Sequence, residues 1–147
     1  MRNRKARFAI AILCATQLSG ATAKADPADV QATRDDIQAT LGAVPTFVGS
    51  IADAAVTGLW REAKDLQLSD KTALDPKTKA LIALAVAAQI PCSYCIVSDT
   101  ADAHRAGAKD QEIAEAVAIA GLTRNVSTVL NGMQVDFDTF KQEMGGM

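Results

Sequence analysis

Aromatic side chains make up only 4% of this chain: one tryptophan, one tyrosine and four phenylalanines. β-branched runs are also few, so there is little from which to build a sheet. Histidine occurs once, at His104, and the three cysteines contain a single C-x-x-C pair, Cys92-Ser93-Tyr94-Cys95. A structural zinc site takes four ligands, and no second C-x-x-C supplies the other half, so neither a metal nor a cofactor is expected. The apolar stretches stop short of the roughly 20 residues that a membrane-spanning helix needs.

Acids are missing from the N-terminus, which carries Arg2, Arg4, Lys5 and Arg7. An apolar stretch from Phe8 to Ala15 follows, and Ala23-Lys24-Ala25 then offers a small-x-small site before Asp26. Basic, apolar, small-residue is the layout of a secretory signal peptide. Residues 1–25 are therefore expected to be removed on export to a bacterial periplasm or the medium, leaving residues 26–147 as one domain. Five of the 15 basic residues depart with that segment, so ten remain against 17 acids, a net charge of −7. Such a surface excludes nucleic acid, whose phosphates need basic partners. It equally disfavours an anionic membrane once the signal is gone.

What remains is rich in alanine, the best helix former, and the pattern predicts an all-α bundle of about five to six helices. Thr33 is placed to cap the first helix, which Gly42 and Pro45 end. Val44, Val48, Ile51, Ala55 and Leu59 form one stripe at helical spacing. Leu66–Leu74 is polar and reads as a connection. Asp75-Pro76 reads as an N-cap with proline at the first helical position. Every residue from Ala80 to Ala88 is apolar, which predicts a helix buried on all sides: the central helix of the domain, or one also covered by a neighbouring subunit. Pro91 breaks that helix, and a new one is expected from about Cys92 to Arg105, closed by Gly107. A short helix over Asp110–Ala120 should precede the strongest amphipathic stripe in the chain: Leu122, Val126, Leu130, Met133, Phe137, Phe140 and Met144, expected to pack as core. Lys77, Lys79, Arg105 and Lys109 are expected on solvated faces.

The dithiol is where chemistry would lie. Three residues apart on a helix, the two sulfurs lie on adjoining faces and can form a reducible disulfide. If Cys92 stands at a helix start, the free backbone amides there lower its pKa and activate it as a thiolate. A structural disulfide and half a metal site remain as alternatives; so short a loop gains little stability from chain entropy. His104, nine residues beyond Cys95, falls on the opposite side of the helix. Asp102, seven beyond, falls on nearly the same side.

The runs Leu74–Ala83, Cys92-Ser93-Tyr94-Cys95-Ile96-Val97-Ser98 and Ala106-Gly107-Ala108-Lys109-Asp110-Gln111-Glu112-Ile113-Ala114-Glu115-Ala116 resemble the carboxymuconolactone decarboxylase superfamily. The cysteine pair points within it to the alkyl hydroperoxidase D-like branch, over roughly residues 40 to 142. The resemblance implies an all-α fold, a symmetric homo-oligomer and reduction of hydroperoxides. By that resemblance Cys95 attacks the peroxide and Cys92 resolves the sulfenic acid to a disulfide. An external dithiol or thioredoxin-like protein restores the pair. The family's histidine four residues after the second cysteine is here Asp99, and its glutamate twelve residues before the first is Ala80. Ionised, Asp99 would raise the Cys95 pKa; with its own pKa raised, it could accept a proton instead. Tyr94 could donate its phenol proton to a thiolate. Two other readings compete: a non-catalytic helical binding or assembly module with a resting disulfide, favoured by the replaced Glu and His positions, and a lactone decarboxylase-like enzyme.

Overall fold

A computed structural model describes residues 25–145. The proposed signal segment therefore lies outside the described residues, apart from Ala25. Six α-helices follow one another: α1 (Pro27–Leu41), α2 (Asp53–Glu62), α3 (Pro76–Gln89), α4 (Ser93–Arg105), α5 (Asp110–Gly132) and α6 (Phe137–Glu143). A 3₁₀ turn (Thr46–Ser50) precedes α2 and a π turn (Ala63–Gln67) prolongs it. No strand occurs among the described residues.

Two clusters divide the core. Val30 and Ile37 of α1 pack on Val48 and Val56, with Trp60 at the edge. Ala80 of α3, Ala103 of α4 and Ala108 form the other, joined by Leu81 and Ile113. Alanine lets helix backbones approach closely, and Ala103 is wholly buried where α3, α4 and the entry to α5 meet. Lys77 of α3 bonds Glu112 of α5 at 2.8 Å, while the other oxygen of Glu112 accepts the Lys109 amide that opens α5.

The helix boundaries follow capping chemistry. Asp75 accepts the Thr78 amide with Pro76 in the first turn, as the sequence predicts. Asp26-Pro27 repeats that signature and opens α1, so the helix begins before Thr33 rather than at it. Thr33 is instead buried inside α1, bonded to the Asp29 carbonyl and the Thr57 hydroxyl. Asp36 lies mid-helix, where Trp60 and Lys64 both donate to it. α4 ends in a Schellman motif: Gly107 takes φ +84°, its amide reaches the His104 carbonyl, and Ala108 reaches Ala103. The stripe expected to run through Val44–Leu59 is broken into the 3₁₀ turn and α2.

The C-terminal part differs most from expectation. No break occurs near Ala120; α5 runs continuously to Gly132, since Gly121 alone does not stop a helix whose neighbours are good formers. A second Schellman motif ends it at Gln134, which takes φ +51° while Val135 bonds back to Leu130. Most of the stripe expected in the core is exposed within the single chain: Leu122, Val126, Met133, Phe137 and Met144 are 46–74% accessible, while Leu130 and Phe140 are half-buried; Val129 beside them is also exposed. α3 is the helix that α5 packs against, with contacts reaching at least to Arg124, and these apolar side chains stay accessible among the described residues. The Ala80–Ala88 helix shows the same incompleteness: Ala80, Leu84 and Ala87 are buried, while Ile82 and Val86 are about half exposed. By length and composition α5 would pass for a membrane span. The Lys77–Glu112 pair and the Arg124–Gln89 hydrogen bond instead tie it to α3.

Candidate active site

Cys92 occupies the N-cap of α4, and its extended backbone turns the chain from the α3 hairpin into the new helix. The Ile90–Cys92 link is pinned from behind, with the Cys92 amide donating to the Ala87 carbonyl. Cys92 and Cys95 are joined as a disulfide, and the Cys95 amide donates to Cys92 Sγ at 3.2 Å. That amide is one of the first-turn donors with no partner inside the helix. In the reduced protein the same donor and the positive end of α4 stabilise a Cys92 thiolate. Both cysteines are partly exposed, so the pair is open to reagents.

Asp99 lies one turn beyond Cys95. Partial burial, then the Asp102 carboxylate nearby, push its pKa above the ordinary aspartate value, and the Ser98 hydroxyl partly opposes this. Ser98 also donates to the Cys95 carbonyl at 3.1 Å. Asp102 pairs with Arg105 on the next turn. Ala80 is buried against Ala103 and lines a 210 Å³ pocket with Gln67, Asp102 and Arg105. At Ala80, where the resemblance implies a glutamate, a methyl group thus shares the pocket with the Asp102–Arg105 pair of α4. Tyr94 points outward and is 91% exposed. His104 sits at the far end of α4, with Nε2 3.7 Å from Asp110 at the start of α5. No cluster of three or more His, Cys, Asp or Glu side chains arranged to hold a metal occurs among the described residues.

Lys79 departs from expectation: it is buried, not solvated, and its ammonium bonds the Ser69 carbonyl. The only sequence signal for this was its place beside the apolar run, four residues after the Asp75 cap. Lys77, Arg105 and Lys109 are partly or fully exposed, as expected.

This helical fold has counterparts among known proteins. The chain matches the carboxymuconolactone decarboxylase family over residues 54–136. It is similar to the crystal structure of the alkylhydroperoxidase AhpD core from Rhodospirillum rubrum: 33% identity, TM-score 0.66, covering 82% of this chain and 96% of that one. It is also 44% identical over 52 residues to "Uncharacterized protein 4 in cox locus" of Paracoccus denitrificans. That match spans 35% of this chain and 47% of the relative, about half its length. The chain belongs to the carboxymuconolactone decarboxylase superfamily, in its AhpD-like branch.

Proposed function

We propose that this chain is an exported thiol-dependent peroxidase, or more broadly a thiol–disulfide oxidoreductase, acting through Cys92 and Cys95. The observation that carries the reading is the accessible sulfur pair at the N-terminus of α4, with a backbone amide aimed at one sulfur. In the reduced state the Cys95 thiolate attacks a hydroperoxide oxygen. The O–O bond breaks, the alcohol leaves with a proton, and Cys95 becomes a sulfenic acid. The Cys92 thiol then attacks that sulfur, water departs and the disulfide forms. An external dithiol or thioredoxin-like protein returns two electrons and two protons. Cys95 is the attacking residue by resemblance, whereas the amide at Cys92 favours Cys92 as the more acidic thiol.

The test is peroxide consumption by the mature protein supplied with dithiothreitol. Cys95→Ser should abolish turnover and Cys92→Ser should stall it at a sulfenic acid or mixed disulfide. A double cysteine variant as fast as wild type would refute the reading. With Ala80 and Asp99 at the relay positions, turnover should be slow, because general acid–base help contributes about 10² to 10⁴-fold. Those two residues also favour a second reading, a non-catalytic binding or assembly module with a resting disulfide. The reduction potential separates them: a labile pair lies well above about −300 mV and a structural bond below it.

Export and assembly belong to the same proposal. Cleavage after Ala25 would leave Asp26, the residue that caps α1, at the new N-terminus. A periplasm is kept oxidising, so the pair would rest as the disulfide and need a dedicated reductant. The exposed stripe of α5 and α6 supports a homo-oligomer, since contiguous apolar patches of this kind mark interaction surfaces.

A further inference from the structure

Lys79 is a buried charge that the dithiol chemistry does not use. In the first turns of α3 it is only 5% exposed. Among the described residues its ammonium makes one hydrogen bond, to the Ser69 carbonyl at 2.5 Å. An ammonium has three donors, and no ion pair among the described residues includes Lys79. Lys77, two residues earlier and more exposed, has Glu112 as its partner. Taking an ammonium out of water costs several kcal/mol unless a counter-charge and further hydrogen bonds offset it, and one neutral carbonyl offsets only part.

The same side chain lines a pocket of about 310 Å³ between α3 and the segment that precedes it, with Leu66, Thr72, Leu74, Ile82 and Ala83 among its walls. That volume is at the small end of sites that hold organic ligands. Leu66, Leu74 and Ile82 are 58, 48 and 49% exposed, so each has apolar surface left to bury. One cation among mostly apolar walls, with Gln67 and Thr72 the polar exceptions, matches a singly charged anion on a hydrocarbon body. A phosphate would call for several donors, and the pocket provides a single cation.

We propose that this pocket binds a small organic carboxylate with an apolar body. The carboxylate pairs with Lys79 and the hydrocarbon lies against Leu66, Leu74 and Ile82. The site is separate from the cysteine pair and does not depend on the peroxidase reading.

Calorimetric titration of the oxidised mature protein with octanoate, and with neutral octanamide, tests this. Octanoate should bind, and octanamide should bind at least about tenfold more weakly. Lys79→Met should lose that preference and Lys79→Arg should keep it. Methionine replaces a buried ammonium with an apolar chain of similar length, a change that buried charges often tolerate. Should Lys79→Met fail to fold, Ile82→Glu leaves the lysine in place, sets a carboxylate at the pocket wall and should weaken octanoate at least about tenfold. The proposal is overturned if the wild type takes up neither ligand, if it binds both equally, or if Lys79→Met or Ile82→Glu binds octanoate as tightly as wild type.

Discussion

Two carboxylates in this protein have pKa values shifted in opposite directions. The Lys64 ammonium and the Trp60 indole N–H both donate to Asp36 and hold its pKa below the ordinary value of 3.8. An acid lowered in the fold contributes stability above its unfolded pKa and loses it as pH falls through the folded value. Asp36→Asn should therefore lower the melting temperature at neutral pH, and the gap to wild type should close as acidification protonates the native aspartate. Thermal unfolding followed across that range checks it. Asp99 behaves in reverse. Burial and Asp102 raise its pKa, so its ionised form costs stability above the ordinary aspartate value. Asp99→Asn should be more stable than wild type at neutral pH, with the difference vanishing below about pH 3.8. Removing that charge also removes like-charge repulsion one turn from Cys95. Iodoacetamide should then modify the reduced variant faster than wild type at neutral pH; an unchanged rate would mean that Asp99 does not govern the thiol.

At the scale of elements, the ends of the helices decide how the chain is folded back. Gly107 and Gln134 hold equivalent places in two Schellman motifs, but only the first is a glycine. A non-glycine residue in the left-handed region costs roughly 1–2 kcal/mol, against which glycine loses about 0.5–1 kcal/mol of chain entropy. Gln134→Gly should thus stabilise the protein by about 0.5–1 kcal/mol in urea denaturation. α3 is the element on which α4 and α5 converge, and Leu84 at its centre is 1% exposed. Leu84→Ala should cost about 2–5 kcal/mol in the same measurement. The capped starts of α3 and α4 place the disulfide: α3 fixes the direction of the hairpin, and Cys92 closes it while capping α4.

For the whole molecule, the unfinished surface is the informative feature. A single chain leaves most of the strongest amphipathic stripe in water, a conformation that wastes apolar burial worth about 25 cal/mol per Å². On the assembly proposal, light scattering should give a mass above one 15.4 kDa chain. Val129→Glu with Phe137→Asp should yield monomers of unchanged helicity, since both residues are exposed within the chain. A wild type that stays monomeric at micromolar concentration would count against it.

The local signals were legible in the sequence because they act within a few residues. Asp75-Pro76, Pro91 and Gly107 set boundaries through backbone chemistry at their own positions, and the C-x-x-C spacing brought the sulfurs together within one helical turn. The all-α class followed from composition and periodicity for the same reason. Where signals are not local, tertiary structure decided. Periodicity shows that the Leu122–Met144 residues share a face but not what covers it, and the fold leaves that face open. Lys79 reads like any helix-surface lysine, and becomes a buried charge only because the Leu66–Leu74 segment folds over it. Whether Asp99 is an ordinary carboxylate depends on its burial and on Asp102 beside it. Burial is a property of the neighbours that the chain brings from elsewhere, and spacing along one helix does not contain it.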